Sequence, residues 1–302
     1  MSQSFLIQQL ISGVAIGIVY ALIAIGYSMV YGILKFINFG HGAVYMVGTY
    51  VSYFVWLFLI NSAGWGVWPS FLIAITASMI AAAIFGVLME RVAYRPTRGK
   101  SRLTTFMSSV GVALLVTYTM EFLVGPQPRP TPELFPGVKI HIGGAILTGQ
   151  QIFMLATGIV LLILLQLFIT KTRQGKAIRA CSEDMGAAFL MGIDVNRSIS
   201  ISFAIGSAMA AVAGTLVGIY YNAVYPTMGW LAGLKGFICA VTGGIGSIPG
   251  AMLGGMLLGM GENLGAGLLA SGYRDAIAFS ILILVMIFRP MGIIAREQKS
   301  SL

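Results

Sequence analysis

The chain has 302 residues, of which 58% are apolar and only 9% are charged, where a soluble domain carries about 25% charged residues. So few charges cannot coat a soluble protein of this size, and a surface dissolved in lipid has no need of them. The net charge of +9 does not describe a nucleic-acid-binding face, because Lys and Arg sit in short loops between apolar runs.

In chain order, the first apolar run covers residues 6–31. No Lys or Arg precedes it, so it is expected to be a retained span and not a cleaved signal peptide. Runs at 36–60, 67–89, 103–124, 152–170 and 199–225 follow, each close to the roughly 20 residues that cross a hydrocarbon core. Shorter apolar stretches at 231–241 and 251–261 flank GGIGSIPG at 243–250. The last run, 276–288, becomes long enough if it continues to Ile294 with Arg289 snorkelling to the interface. The pattern predicts an all-α, polytopic membrane protein, one transmembrane domain over 1–302, with about eight or nine membrane segments, some of them broken or re-entrant.

Basic loops set the expected direction. Arg91, Arg95, Arg98, Lys100 and Arg102 belong to one, and Lys171, Arg173, Lys176, Arg179 and Arg197 to another; both are assigned to the cytoplasm. The N-terminus and the 61–66 link carry no basic residue and are placed outside. The Pro-rich stretch 125–150 is also external, despite Arg129 and Lys139. Arg289, Arg296 and Lys299 put the C-terminus in the cytoplasm. Parity then requires that 231–265 cross twice, bending at GGIGSIPG, or enter as a re-entrant loop from outside.

A second break lies early, at Asn38-Phe39-Gly40-His41-Gly42. Paired interruptions in the two halves of a membrane protein point to a central transport site, against the plainer reading that the glycines pack helices. Asn38, Gly40, His41 and Gly42, with Gly243, Gly244, Gly246 and Gly250, are therefore candidates for bordering a translocation path, and the two breaks are expected to approach each other. Glu90 and Glu262, each near a helix end, add to a faint internal duplication. Glu121, Lys235, Glu262 and the Arg274–Asp275 pair are functional candidates as ionisable groups in spans, but none is clearly a mid-membrane carboxylate of the kind a proton-coupled carrier needs. His141 falls in the external loop.

Enzymatic readings fail. Arg98-Gly99-Lys100-Ser101 lacks the earlier glycine of a phosphate-binding loop, since Tyr94 stands there, and Pro249 replaces the third glycine of a dinucleotide fingerprint. There is no HExxH, and Ser207 and Ser247 have no evident base. Cys181 and Cys239 lack metal-ligand spacing and are expected as free thiols. No catalytic residue, cofactor or metal is expected on this chain.

The loop at 171–198 carries a further signal. Residues 183–192 read as a short helix with Ala187, Ala188 and Gly192 at close-packing spacing. Small residues let another protein approach, and Glu183 and Asp184 can meet its Lys or Arg.

These features together resemble the smaller permease subunit of branched-chain amino acid ABC importers, over nearly the whole chain. The resemblance rests on ALIAIGYSMVYGILKFINFGHGAVYMVGTY (21–50), ERVAYRP (90–96), RACSEDMGAAFLMGI (179–193), GLKGFICAVTGGIGSIPGAMLGG (233–255) and DAIAFSILILVMIFRPMGI (275–293). It implies a second permease subunit, homologous or identical, two cytoplasmic ATPases that use the ATP, and an extracytoplasmic binding protein, all at a bacterial inner membrane. It also implies that Glu183, Asp184, Ala187, Ala188 and Gly192 couple to an ATPase, although Gly186 stands where the Glu of the Glu-Ala-Ala-x-x-x-Gly docking signature is expected. Related permeases carry urea, short amides or other amino acids, and a self-contained secondary transporter is the alternative from the residues alone.

Overall fold

The computed structural model describes residues 3–142 and 144–294. Arg296 and Lys299, assigned above to the cytoplasm, lie outside the described residues. Within these, the helices are α1 (Gln3–Leu34), α2 (His41–Asn61), α3 (Val67–Met89), α4 (Arg102–Val124), α5 (Gly149–Lys171), α6 (Arg173–Glu183), α7 (Met185–Leu190), α8 (Val195–Tyr221), α9 (Met228–Gly243), α10 (Ile248–Leu268) and α11 (Arg274–Phe288). Seven stretches are long and apolar enough to cross a membrane, and α9 with α10 pass that test as a pair bent by 117°. Counted as one broken element, the bent pair makes eight membrane segments among the described residues, within the eight or nine expected.

The bundle is organised around α1, whose 32 residues rise about 48 Å. Gly13 and Gly17 let α10 lie directly against it. A Cβ on Gly13 would stand 2.9 Å from Met260 Cα, and one on Gly17 would stand 3.0 Å from Met256 Cα. Further along, Gly255 meets Ala21, and Gly246 reaches Gly32. The two helices are therefore antiparallel, with small residues doing in lipid what hydrophobic burial does in water. On its other side α1 meets α8 through Gly26 and Gly206, and α8 in turn packs on α2 and α3 at Gly214 and near Gly86.

These contacts sort the loops into two poles. At one pole, Gln8 of α1 hydrogen-bonds the Ile146 backbone in both directions, and Arg129 pairs with Val224. At the other pole, Lys35 reaches the Ser182 carbonyl, and Arg98 donates to Asn196 Oδ1 at 2.7 Å. The basic loops around 90–102 and 171–198 and the segment after α11 share this second pole. The α9–α10 bend lies there too, beside Gly32, so 231–265 is a bent pair of helices turning at GGIGSIPG, the broken element expected there.

Two details differ from expectation. The loop at 125–148 holds a two-stranded antiparallel hairpin, β1 (Lys139–Ile142) with β2 (Ala145–Thr148), in register Lys139↔Thr148. Its end passes into α5 through a Thr148–Gln151 capping box. The final span gains length at its start and not its end: a 3₁₀ turn at Ser271–Tyr273 leads into α11, which stops at Phe288. Beyond it the chain turns at Gly292, φ +84°. Ile293 and Ile294 then donate to the Thr242 and Gly243 carbonyls at 3.0 Å each, satisfying the end of α9, which no helical donor can reach.

Arg274 and Asp275, adjacent in sequence, take different partners. Asp275 Oδ1 lies 2.9 Å from Lys235 Nζ, which also meets Glu262 Oε1 at 3.1 Å. Tyr20 donates to the other Glu262 oxygen at 2.9 Å, and Arg274 donates to the Tyr221 hydroxyl. One cation thus ties α9 to α1, α10 and α11. Removing one partner of a buried pair leaves the others charged and unmatched, at about 3–5 kcal/mol. Lys235→Met is expected to lower the thermal midpoint of the purified protein sharply, and Lys235→Met with Glu262→Gln to recover much of the loss. Equal midpoints for Lys235→Met and the parent chain would remove the cluster's structural role.

Candidate translocation site

The first break folds the chain back into the bundle. Helix α1 ends at Leu34, yet the His41 ring lies against Gly26, where any Cβ would overlap it. Gly26 precedes the end of α1 by eight residues, about 12 Å, so α2 starts inside the bundle. Asn38 is buried and accepts from the Tyr94 hydroxyl at 2.6 Å. Gly40 makes room for that hydroxyl, since a Cβ there would stand 2.6 Å from it and 2.9 Å from Met89 Sδ. His41 packs edge-on to Tyr27 with ring centroids 4.8 Å apart. Its Nε2 is buried without a hydrogen-bond partner.

What Gly42 meets is the start of α9. A Cβ on Gly42 would overlap the Gly229 carbonyl, a Cβ on Gly229 would overlap the Gly42 carbonyl, and Gly233 comes against Gly42 Cα. Two helix starts therefore overlap head to head, antiparallel, within the bundle. Neither has a side-chain cap, and the first-turn N–H groups of a helix have no helical acceptor. Each start carries the positive end of a helix dipole. A crevice of ≈ 10 Å³ lies at the junction, lined by Tyr27, Phe39, Gly42, Gly229 and Gly233 and by Thr117 of α4. That is room for about one water.

The second break does not join this site. Gly243 and Gly250 press backbone to backbone at the α9–α10 bend, and Gly244 (φ +114°) and Gly246 (φ +89°) make the turn. From Gly229 to Gly243 the chain runs 14 residues of α9, about 21 Å, so the expected approach of the two breaks is replaced by the approach of Gly42 to Gly229. The repeat in the sequence is real in that both breaks start a helix, but those starts lie at different depths. Gly229 and Gly233, missed in the sequence, carry the usual small-residue spacing of a packed membrane helix. Their partner was the unreadable part.

The 171–198 loop is also built differently from expectation. Glu183 ends α6, and Asp184 caps α7, accepting from Ala187 N at 2.9 Å. Gly192 closes α7 at φ +81°, with Ile193 N donating to Ala188 O and Gly192 N to Phe189 O, both at 3.0 Å, the Schellman pattern. Ala188 turns inward and is buried, while Ala187 is exposed. The outer face is apolar and bulky: Phe189, Leu190 and Met191 are 71%, 85% and 83% exposed. Small residues shape the element; large ones present it.

A buried polar cluster stands between this element and the first break. Glu90 pairs with Arg98 and lies 3.6 Å from Arg95, and accepts from Ser200 of α8 at 2.8 Å. Arg98 also holds Asn196, just after the α8 cap Asp194. Four residues beyond Glu90, at the end of a π-helical turn, Tyr94 reaches Asn38. Glu90 and Glu262, paired by the sequence, therefore anchor different ends of the bundle.

Seven apolar spans and a bent helix pair around two enclosed helix starts define a multi-pass membrane protein. Residues 9–287 match the family described as branched-chain amino acid transport system / permease component. Over 297 residues the chain is 43% identical to the high-affinity branched-chain amino acid transport system permease protein BraD of Pseudomonas aeruginosa, covering 97% of this chain and 96% of that one. It is 41% identical over 305 residues to the corresponding protein LivH of Escherichia coli, covering 99% of each. A probable branched-chain amino acid transport permease protein of Methanocaldococcus jannaschii is 26% identical over 296 residues, with 92% and 89% covered. The chain belongs to this permease family.

The head-to-head contact makes a specific demand on Gly42. Gly42→Ala drives a methyl into the Gly229 carbonyl, and overpacking of this kind costs about 1–3 kcal/mol. A lowered thermal midpoint is expected, whereas Gly272→Ala, which faces open space, should leave it unchanged. Identical midpoints for Gly42→Ala and the parent chain would mean the helix starts do not touch.

Proposed function

We propose that this chain is the membrane-spanning subunit of an ATP-driven importer that moves branched-chain amino acids across the bacterial inner membrane. The observation that carries the reading is the pair of uncapped helix starts meeting at Gly42 and Gly229. A zwitterion cannot cross hydrocarbon unaided, and fixed full charges hold it too firmly to release. Helix starts offer directional N–H groups of moderate strength to a carboxylate. Asn38 and the unpartnered His41 Nε2 stand beside them, and glycine lets the backbone come close. The relatives' names supply the substrate class.

The path needs a second permease subunit, homologous or identical, to close the crevice on the α4 and α9 side. ATP hydrolysis belongs to two cytoplasmic ATPases, and an extracytoplasmic binding protein delivers the solute. The pole that carries the basic loops faces the cytoplasm by the positive-inside bias, which sets the N-terminus outside. There α7 offers Phe189, Leu190 and Met191 beyond the reach of lipid tails, the kind of apolar cluster that anchors a protein interface, with Glu183 and Asp184 on its flank for steering.

Co-reconstitution with the neighbouring transporter subunits and an amino-acid uptake panel tests the whole reading. ATP-dependent uptake of leucine, isoleucine or valine is expected, and Leu190→Asp should abolish both uptake and ATPase co-purification while leaving the membrane level normal. Uptake by this chain alone, driven by an ion gradient, would replace the reading with a secondary transporter. Orientation has its own check in a background without Cys181 and Cys239: an impermeant thiol reagent added outside should label Glu133→Cys and spare Ser101→Cys. The reverse pattern overturns the assignment.

A further inference from the structure

A second cavity lies away from the contact of α2 with α9. It has a volume of ≈ 290 Å³ and lies at the basic pole, enclosed by α1, α5, α6 and the α9–α10 bend. That is close to the lower end of the roughly 300–1,000 Å³ of small-molecule sites. Much of its wall is apolar, including Met29, Ile169, Ile178 and Ile248. The polar groups are few. Ser28 lines it; its hydroxyl is buried and has no hydrogen-bond partner, an arrangement that costs free energy unless something fills the vacancy. Gln166, Thr170, Ser182, Ser247 and Arg179 complete the polar side chains of the lining, Arg179 standing exposed at the rim. No Asp or Glu is among the lining residues described.

We infer that this cavity is a binding site for a short-chain apolar carboxylate that enters from the basic pole. The alkyl body fits the apolar wall, and the carboxylate, the ligand's one polar group, has two oxygens, one to meet the Arg179 guanidinium and one to give the Ser28 hydroxyl the acceptor it lacks. The wall supplies a cation and no anion, so it favours a plain carboxylate over an amine and over a zwitterion, whose ammonium would find only neutral acceptors. This separates it chemically from the Gly42–Gly229 junction, where helix starts face a zwitterion. Occupation joins α1, α5 and α6 to Gly246 and Ser247 of the bend. Where the importer reading above holds, a cytoplasmic carboxylate seated here restrains the bend and slows uptake. Binding itself does not depend on that reading.

The test is equilibrium binding to the full chain in nanodiscs, using 4-methylpentanoate as anion, 4-methylpentylamine as cation and leucine as zwitterion. Saturable binding of 4-methylpentanoate is expected, with leucine weaker and the amine undetectable. Arg179→Gln, at an exposed position that leaves folding intact, should weaken it about tenfold, the worth of one charge-assisted hydrogen bond. Ser28→Leu, checked for folding by its thermal midpoint, should abolish it by filling the cavity. Absence of saturable binding, equal binding of the amine, or binding unchanged by Arg179→Gln overturns the proposal. Displacement of the anion by added phosphatidylglycerol would reassign the cavity to lipid and overturn it equally. Since no transport is read, failure here leaves the importer reading standing, and failed uptake leaves the site standing.

Discussion

In hydrocarbon there is no water to satisfy a backbone N–H or carbonyl, so a helix can be interrupted only where protein or a wetted cavity replaces the lost partner. Most of this molecule can be read as the solution to that constraint at two interruptions. Around the first, Gly26, Gly40, Gly42, Gly229 and Gly233 remove side chains so that backbone, His41 and the Tyr94 hydroxyl can occupy the space. Around the second, Ser247 caps Gly250, and the segment after α11 supplies the donors that the end of α9 lacks. The two are enclosed to different degrees. The second is closed off by hydrogen bonds, while the first keeps two helix starts without side-chain caps.

A chain of contacts joins the basic pole to the interior. The outward face of α7 is continuous with α8 through the Schellman stop at Gly192 and the Asp194 cap. Helix α8 carries Asn196 and Ser200, which hold the Glu90–Arg98 pair. Tyr94, one turn on, holds Asn38. Tightly packed elements joined by buried polar contacts move as units and not by gradual deformation, so displacement of α7 has a short physical route to the junction at Gly42. The same contacts explain why Glu90 is tolerated fully buried: each of its oxygens has a partner.

Much of this was legible in the amino-acid order because bilayer thickness fixes the length of an apolar run and loop charge fixes its direction. Residues 67–89 were read to the residue as α3, and counting alone required a broken element where α9 and α10 form their bent pair. What the sequence hid was pairing across space. Gly42 could as well have met Gly243 as Gly229, since glycine spacing says that something comes close but not what. Periodicity also failed in the short elements. Four-residue strands at 139–148 are below the length at which alternation speaks, and one turn of helix at 185–190 cannot reveal that Ala188 faces in while Leu190 faces out. The candidate path residues Asn38, Gly40, His41 and Gly42 were found together; Gly243, Gly244, Gly246 and Gly250 shape a bend at another depth.

The hydrogen bonds from Ile293 and Ile294 to the end of α9 bear on how the protein is made. Chains are synthesised from the N-terminus, and α9 leaves the ribosome about fifty residues before the segment that closes it. Through that interval the carbonyls of Thr242 and Gly243 have no final donor, and the bend is held by its glycines and the local hydrogen bonds of Ser247. The packing of α8 on α2 and α3 can form as soon as those helices are inserted, but α9 and α10, and the faces of α1 and α2 that they cover, stay provisional until α11 is made and the chain turns back. Residues 293 and 294 are thus a latch on assembly, and translation that stops at Phe288 yields a bundle with all its spans present and its bend without that latch.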